Sequence, residues 1–323
     1  MRKLITAFIL IFSFFLSSQE TLFTLVDNSK TGINFSNELV DTKEHSIFLY
    51  ANYYGGAGVG IGDFDNDGLE DIFFAANLLD DKIYKNLGNF EFEDKTKMSG
   101  IINNGSWSTG VTVADVNNDG LLDIYVSCEL YDDAPVLRRN KLYINQGSFK
   151  FKESASEWGV DVDRRTRHSV FFDYNKDGLL DLYLLNHPPN TGNFSPFFGK
   201  DMSLPEYNLQ LFENKGNHFV DVTQSAGLSR SGFPNAAVIG DFNKDGWPDI
   251  YVANDFDSPD FLYFNNKDNT FTYATETSLR HTSFYSMGVD AADINNDSHL
   301  DLMVLDMTAE DNFRLKSNMS GMN

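Results

Sequence analysis

Short apolar runs alternate with clusters of Asp, Asn and Gly along most of this chain. Five of the runs, each directly after a polar cluster, are DIFFAA, DIYVSC, DLYLLN, DIYVAN and DLMVLD. Runs of this length, rich in β-branched and aromatic residues, predict buried β-strands. The first aspartates of successive clusters are 52, 58, 68 and 52 residues apart. The pattern is therefore an internal repeat, and a repeat of this size sets the architecture.

The first four repeats carry three further strand-like segments around the apolar run. A segment with small residues precedes the polar cluster, as in GAGVGIG, STGVTVA and SMGVDAA. A third segment with an aromatic residue and Asn follows (IYKN, LYIN, LFEN, LYFN), and a fourth closes the unit (FEFEDKT, FKFKESA, HFVDVTQ, TFTYATE). Four strands per unit of about 50 residues predict an all-β chain. The fold class expected is a β-propeller of four-stranded blades, of which about five are represented.

The polar clusters share the nine-residue pattern Asp-x-(Asp/Asn)-x-Asp-(Gly)-x-x-Asp. Oxygen side chains at positions 1, 3, 5 and 9, with Gly at position 6 for a sharp turn, suit Ca²⁺, which takes roughly six to eight oxygen ligands. An EF-hand loop would need a bidentate Glu at position 12 and flanking helices. Here strands follow, and position 12 is Phe74, Val126, Leu184, Val252 or Val304. The ligand shell must therefore close within the nine residues.

The expected ligands are the side chains at positions 1, 3, 5 and 9 and the backbone carbonyl at position 7, which allows up to five Ca²⁺ ions. One cluster alone would fit a solvated turn equally well, but five copies with the same internal spacing favour metal sites. The predicted ligands are Asp63, Asp65, Asp67, Leu69 and Asp71 in loop 1; Asp115, Asn117, Asp119, Leu121 and Asp123 in loop 2; Asp173, Asn175, Asp177, Leu179 and Asp181 in loop 3; Asp241, Asn243, Asp245, Trp247 and Asp249 in loop 4; and Asp293, Asn295, Asp297, His299 and Asp301 in loop 5.

This loop, placed after a Gly/Ala-rich strand and combined with an (L/I)-(Y/F)-x-N-x-G strand, resembles the FG-GAP or VCBS repeats of integrin α-chain propellers and of many exported bacterial proteins. The stretch DMTAEDNFRLKSNMSGMN after loop 5 is similar to the large envelope proteins that carry these repeats ahead of a C-terminal ASPIC/UnbV-type domain. The resemblance covers about residues 50 to 310. It implies a propeller, usually of seven blades, with calcium in the loop between the first two strands of a blade. This chain has five such loops.

Charge and cysteine content agree with this class of protein. The chain has 25 Lys and Arg against 47 Asp and Glu, a formal net charge of −22, part of which bound Ca²⁺ would offset. Nucleic acid is disfavoured as a partner because phosphate binding needs clustered Lys and Arg. The single cysteine, Cys128, allows no internal disulfide. Metal ions are therefore expected to serve as the cross-links.

The N-terminus has the features of an export signal. Arg2 and Lys3 precede an apolar run over residues 4–16, which is shorter than the ~20 residues of a membrane span. We assign residues 1–19 to a signal peptide and expect a secreted or cell-envelope protein with no transmembrane span; a buried N-terminal element is the alternative. A lipid anchor would need a cysteine just after the signal, where this chain has Gln19 and Glu20.

Residues 20–307 are assigned to the propeller and residues 308–323 to the start of a helical segment or a truncated next region. Residues 22–33, LFTLVDNSKTGI, echo the blade-ending segment FEFEDKTKMSGI. The echo predicts that they complete the final blade and close the ring. Because the fifth blade stops before its third strand, we expect the chain to be part of a longer protein, with a five-bladed ring as the alternative.

Two places depart from the repeat and are candidates for specificity. The insertion from His187 to Pro205 is either an exposed binding surface or a loop folded onto its own blade. A basic cluster fits an anionic sugar or carboxylate, or else a strand entry paired with Asp161 and Asp163. The notable residues are Pro188, Pro189, Phe194, Phe197 and Phe198 in the insertion, and Arg164, Arg165, Arg167 and His168 in the basic cluster.

The leading functional interpretation is a monomeric, non-catalytic module that binds a protein or glycan, because the sequence contains no nucleophile elbow, Walker loop, paired-Cys cluster or HExxH motif. One alternative is a polysaccharide lyase or hydrolase using a central channel lined by residues such as His168 and His281. Convergence of His168, Arg167 and a carboxylate in one cleft would favour that enzyme. The other alternative is a structural spacer for a downstream domain.

Two loops differ from the rest in ways that predict their affinity. Asp65 gives loop 1 a fourth side-chain carboxylate where the other loops have Asn, so we expect loop 1 to be among the tightest sites. Ser298 stands at position 6 of loop 5, where the other four loops have Gly. If that position requires positive φ, a Cβ there costs about 1 kcal/mol. Loop 5 is then predicted to be the weakest site.

Overall fold

The computed structural model describes residues 22–50, 52–131, 133–188, 205–256 and 258–307. The predicted signal peptide, the insertion aromatics Phe194, Phe197 and Phe198, and the predicted helical segment after residue 307 lie outside the described residues. Within the described ranges, the helices are all too short or too polar to span a membrane.

The regular structure of the described residues is mostly β-strand, 36% strand against 9% helix, as the alternation of apolar runs and turns predicts. The strands are β1 Val59–Gly62, β2 Asp71–Phe74, β3 Lys82–Asn86, β4 Phe92–Asp94, β5 Trp107–Ala114, β6 Asp123–Glu129, β7 Lys141–Asn145, β8 Phe151–Glu153, β9 Arg165–Phe172, β10 Asp181–His187, β11 Gln210–Asn214, β12 Phe219–Asp221, β13 Pro234–Gly240, β14 Asp249–Asn254, β15 Phe261–Asn265, β16 Phe271–Tyr273, β17 Ser286–Ala292 and β18 Asp301–Asp306.

Short α-helices follow three of the four fourth strands, β4, β8 and β16, and one lies in the N-terminal segment. The α-helices are α1 Asn28–Thr31, α2 Thr96–Ser99, α3 Ala155–Trp158 and α4 Thr275–Ser278, and two 3₁₀ turns span Pro135–Arg138 and Pro205–Tyr207. Each is about one turn long, so its stability comes from packing against the sheets and not from helix propensity.

The strands form five antiparallel sheets in chain order. Four sheets have four strands each, β1 to β4, β5 to β8, β9 to β12 and β13 to β16, and the fifth contains β17 and β18. Consecutive strands are neighbours in every sheet, so each sheet is an up-and-down meander. The first strands of successive sheets contact one another in the order β1, β5, β9, β13 and β17. This is the arrangement of propeller blades, and it confirms the predicted fold class with five blades represented.

Glycines explain how closely the first strands approach one another. A Cβ at Gly58 would lie 2.7 Å from the backbone nitrogen of Val111 on the next blade, and a Cβ at Gly110 would lie 2.8 Å from His168 Nδ1. Side chains larger than hydrogen would force these strands apart. The small residues noted in the first segment of each repeat therefore allow the inner strands to pack side by side.

The hydrophobic core lies between neighbouring blades. Phe73 and Ile83 of the first blade pack with Val126 and Tyr143 of the second, and all four are fully buried. The same kind of layer joins the second blade to the third, the third to the fourth, and the fourth to the fifth. Because β6, β10 and β14 pack between two neighbouring blades, their apolar runs are buried on both faces and show no polar alternation. The corresponding strand of the fifth blade, β18, is only partly buried.

The N-terminal segment packs on the first blade. Gly32, just after α1, lies against the carbonyl oxygen of Phe92 on the first blade. Gly100, just after α2, makes the equivalent contact with the carbonyl oxygen of Phe151 on the second blade. The Tyr84 hydroxyl also donates to the Asn34 carbonyl at 2.9 Å. The echo of a blade ending is thus visible in this helix and turn. Residues 22–33 belong to none of the sheets and do not pair with the fifth blade. They therefore do not complete the final blade as predicted.

Candidate metal-binding loops

The five Asp-rich loops connect the first strand of a blade to its second strand, and all lie at the same end of the sheets. In the first blade, loop 1 begins after β1 and its last residue, Asp71, is the first residue of β2, paired with Gly62. The last aspartates of the other loops likewise begin β6, β10, β14 and β18. The strand ladder therefore fixes position 9 of every loop, and the turn between the strands positions the other oxygen atoms.

Hydrogen bonds within each loop orient the carboxylates in the same way. In loop 2, the carboxylate of Asp115 accepts from the backbone N–H of Asp119 at 3.1 Å and from that of Gly120 at 2.8 Å. The carboxylate of Asp119 accepts from the N–H of Leu121 at 2.9 Å. Equivalent bonds to positions 1 and 5 occur in the other four loops. The five loops thus share one internal geometry.

The turn requires left-handed backbone at two positions. Position 4 has φ between 56° and 60° in all five loops. Position 6 has φ between 85° and 87° at its four glycines and 66° at Ser298. The prediction that position 6 needs positive φ is confirmed, and Ser298 is a residue with a Cβ in a conformation that glycine adopts at lower free-energy cost.

In loops 1 to 4 the aspartate at position 9 is buried and held by the backbone on both of its oxygens; in loop 5 it is only partly buried. In loop 2, Asp123 accepts from the N–H of Val116 at 3.0 Å and from the N–H of Asn145 on β7 at 2.8 Å. Burial raises the pKa of Asp123 and of Asp181 to about 7, and that of Asp71 to about 6. A divalent cation beside such a group favours its ionised form.

The oxygen atoms of loop 1 fit a hard cation. Asp63, Asp65 and Asp71 each place one carboxylate oxygen within 4.8 Å of the others. Asp65 Oδ1 is buried and has no hydrogen-bond partner among the described residues, an arrangement that is costly unless a cation or water satisfies the atom. The donor set contains only oxygen, as Ca²⁺ prefers. The carbonyl ligand predicted at position 7 of each loop stays a prediction.

Two charged residues of the third strands reach the loops and were not singled out in the sequence. Lys85 on β3 donates to the carboxylates of Asp65 and Asp67. Burial would lower the pKa of Lys85, but these hydrogen bonds outweigh it and raise the pKa above its usual value. Glu213 on β11 accepts from the side-chain amide of Asn175 at 3.1 Å. The sequence does contain a signal for these two residues. When the segments IYKN, LYIN, LFEN and LYFN are aligned, their third position is charged in the first and third blades only.

Adjacent loops also contact one another. The side-chain amide of Asn66 in loop 1 donates to the Gly120 carbonyl of loop 2 at 3.0 Å, and that of Asn118 donates to the Gly178 carbonyl of loop 3 at 3.2 Å. In loop 3, the ammonium of Lys176 lies 4.9 Å from the centre of the Trp247 ring of loop 4. Position 4 of one loop therefore packs on the following loop.

The basic cluster at the start of β9 is spread over several partners. Arg164 donates to the carbonyl oxygens of Pro205 at 2.9 Å and Asn208 at 3.3 Å, and burial lowers its pKa. The guanidinium of Arg167 lies 3.6 Å from the carboxylate of Glu129. Asp161, expected to pair with the cluster, accepts instead from Arg139 at 2.7 Å.

The convergence of Arg167, His168 and a carboxylate that would favour the enzyme alternative is not observed. Arg167 lies beside the carboxylate of Glu129, but the histidine next to Glu129 is His187. Its Nδ1 lies 3.9 Å from Glu129, which also accepts from the Tyr50 hydroxyl. The side chains of Glu129 and His187 are 1% and 6% exposed, so the group is packed inside the protein. His168 lies against Gly110, and burial together with the Arg167 charge lowers its pKa to about 4. His281 is exposed, in the loop before β17.

A family model for FG-GAP-like repeats matches residues 63–126, 202–252 and 241–304, which together are just over half of the chain. The chain belongs to the FG-GAP-like repeat family. The matched segments contain loops 1, 2, 4 and 5. The match ends at residue 304, so the expected likeness to the region ahead of an ASPIC/UnbV-type domain stays a prediction.

Individual proteins resemble this chain more distantly. Cartilage acidic protein 1 of Xenopus tropicalis is 25% identical over 164 residues, which are 50% of this chain and 24% of that protein. The chain thus spans about a quarter of the length of this curated relative. An N-acetylglucosamine-recognising lectin of Agrocybe aegerita is 16% identical, with a TM-score of 0.43 over 76% of this chain and 59% of the lectin. A Bacillus licheniformis rhamnogalacturonan lyase is 11% identical, with a TM-score of 0.44 over 78% and 47%.

Proposed function

We propose that this protein is an exported, calcium-stabilised β-propeller module that binds a protein or glycan and is not an enzyme. The observation that carries the proposal is the shared geometry of the five loops. In every loop the carboxylates at positions 1 and 5 accept from the same backbone N–H groups. In loop 1 the carboxylate oxygens at positions 1, 3 and 9 also lie within 4.8 Å of one another. A repeat that only needed a tight turn would not require carboxylates at positions 1, 5 and 9 in all five copies.

The role of the ion in this proposal is structural. Position 9 belongs to the second strand and is bonded to the third, while positions 1 to 5 belong to the turn after the first strand. A cation bound by both sets would join three strands of a blade at one end. Because the chain has one cysteine, which is buried and free, metal ions would replace the disulfide cross-links common in exported proteins.

Export supports the calcium assignment. The apolar run over residues 4–16 behind Arg2 and Lys3 has the length and flanks of a cleaved signal. Outside the cytoplasm the concentration of Ca²⁺ is high enough for sites of modest affinity, because extracellular modules bind with dissociation constants of about 10⁻⁴ to 10⁻³ M. The strongly acidic composition of the chain suits such an environment.

A polar groove on the third blade is the surface best suited to a ligand with hydroxyl groups. It has a volume of about 720 Å³, within the range typical of ligand sites. Amide, hydroxyl and charged groups converge there, and the Gln210 amide donates to Asp221 at 2.9 Å. Its lining residues include Arg164, Asn208, Gln210, Asp221, Gln224 and Ser225.

The enzyme alternative receives less support. Glu129, Arg167, Tyr50 and His187 would be candidates for acid–base chemistry, but the carboxylate and the imidazole are buried. Burial of this kind suits a structural ion pair better than a site that must admit a polysaccharide.

A binding screen on the exported protein, repeated with and without chelator, tests the proposal. We expect binding to a glycan or protein that is lost in EDTA, and no cleavage of acidic polysaccharides in either condition. Gln224→Ala and Ser225→Ala should weaken binding of a glycan that occupies the groove. Turnover of a polysaccharide that disappears in Glu129→Gln would contradict the non-catalytic assignment.

A further inference from the structure

The residue immediately before the third-strand asparagine differs from blade to blade, although its place in the fold does not. In all four complete blades the third strand pairs with the fourth in the same register. The residue in question therefore lies in the same position relative to its own loop. It is Lys85 in the first blade, Ile144 in the second, Glu213 in the third and Phe264 in the fourth.

In the first blade this residue inserts a positive charge into the loop. Lys85 Nζ donates to Asp65 Oδ2 and, at 2.7 Å, to Asp67 Oδ2. These are the expected ligands at positions 3 and 5. The ammonium also lies 5.4 Å from the centre of the Phe149 ring of the second blade, and the Lys85 side chain is 20% exposed. Packing and two carboxylates thus hold the ammonium beside the expected ligands.

In the third blade the same position supplies a negative charge. Glu213 Oε1 accepts from the amide of Asn175, the position 3 residue of loop 3, at 3.1 Å. Its side chain is 14% exposed, and the same oxygen also lies 2.7 Å from the ammonium of Lys215, whose side chain is 43% exposed. Ile144 and Phe264 bring no charge to loops 2 and 4. Loop 4 has a cation from elsewhere, because Lys267, just after the third strand, lies 3.4 Å from the carboxylate of Asp245.

We propose that this third-strand residue sets the cation affinity of its loop, and the inference rests on the proposal that the loops bind calcium. Lys85 acts as an internal counter-cation that weakens divalent binding to loop 1, and Glu213 adds a carboxylate that strengthens binding to loop 3. The number of charged ligands tunes calcium affinity in such loops, and a fixed ammonium repels a cation placed a few ångströms away. Counting Asp65 as a fourth carboxylate therefore overstates the affinity of loop 1.

Calcium titration of Lys85→Met measures the effect on loop 1. Methionine keeps an unbranched side chain of similar length and removes the charge. We expect one site to bind at least about tenfold more tightly, or one additional ion per chain at fixed free Ca²⁺. The matched control is Lys82→Met on the same strand, because Lys82 pairs at 3.0 Å with Asp94, which lies outside the loops. Equal titrations of Lys85→Met and the wild type would overturn the inference for loop 1.

Glu213→Gln provides an independent measurement on the third blade. One site should weaken about tenfold, whereas the control Glu157→Gln, at an exposed pair with Lys152, should leave every site unchanged. An unchanged titration of Glu213→Gln would overturn the inference for loop 3.

A melt in chelator provides a readout that needs no bound metal. With Lys85 removed, Asp65 and Asp67 lose their counter-charge, so Lys85→Met should melt below Lys82→Met in EDTA and recover fully in Ca²⁺. Equal melting temperatures of the two variants in EDTA would exclude the counter-cation role. Wild-type protein that binds no Ca²⁺ at any loop would overturn the proposed function as well, whereas binding that ignores both charge changes would overturn this inference alone.

Discussion

The side-chain amide of Asn145 on β7 lies 2.8 Å from the carbonyl oxygen of Phe64, which belongs to loop 1 of the preceding blade. The same amide bonds the Leu122 carbonyl of its own loop at 3.0 Å. Asn214 and Asn265 make the equivalent contacts one and two blades further on. In the second, third and fourth blades the asparagine of the third strand therefore ties its own loop to the loop before it.

Asn145→Ala should destabilise the protein by about 1 to 3 kcal/mol, because two buried carbonyl groups lose their hydrogen-bond donor. Equilibrium unfolding in urea at saturating Ca²⁺ measures the change. The control is Gln146→Ala, since Gln146 is the next residue and is exposed. Equal stabilities of the two variants would show that the Asn145 bonds contribute nothing net.

Much of this fold could be predicted from the sequence, because the information that sets it is local and repeated. Loop positions 1 to 9 lie within one turn, so their spacing fixes both the oxygen pattern and the need for positive φ at position 6. The second strands β6, β10 and β14 are buried on both faces, and their sequences are continuous apolar runs. Repetition in five copies separated this signal from ordinary turns.

The contacts that could not be predicted from the sequence join residues far apart in the chain. Lys85 is 20 residues from Asp65, and only the register between the second and third strands brings them together. Likewise Glu129 was not singled out, because its partners Tyr50, Arg167 and His187 come from three other segments. Residues 22–33, expected to complete the final blade, pack on the first blade instead, through a contact between residues far apart in the chain.

Ser298→Gly should tighten calcium binding at loop 5 by up to roughly tenfold, since about 1.4 kcal/mol corresponds to a factor of ten. The reason is the φ of 66° at Ser298, which glycine adopts without a Cβ penalty. A titration that resolves individual sites measures this change. Gly246→Ser in loop 4 should have the opposite effect. The interpretation fails if neither substitution changes the affinity of its own loop.

His168 should make the protein less stable as the pH falls from about 6.5 to 4. Its folded pKa is lowered to about 4 by burial and by Arg167, so below the unfolded pKa of about 6.5 the unfolded state binds a proton that the native state does not. The free energy of unfolding is not reduced by this effect well above pH 6.5, and the reduction reaches about 2 kcal/mol near pH 5. Stability curves of wild type and His168→Gln against pH should converge toward acid; parallel curves would contradict this assignment.

The thiol of Cys128 should not react with a water-soluble disulfide reagent in the native protein. The side chain is fully buried, and burial raises its pKa to about 11, so little thiolate exists near neutral pH. Complete reaction is expected only in denaturant. Rapid labelling of the native protein would show that β6 is accessible.

The melting temperature of the metal-free protein, measured with and without Ca²⁺, tests the central claim most directly. If the loops bind calcium in the native state only, calcium raises the melting temperature in a concentration-dependent manner, because selective binding stabilises that state. Asp115→Asn with Asp119→Asn, which removes two charges from loop 2, should reduce the calcium-dependent rise. We predict several Ca²⁺ ions per chain by elemental analysis and a melting temperature that falls in EDTA. A metal-free protein whose melting temperature is unchanged by Ca²⁺ would contradict the calcium assignment.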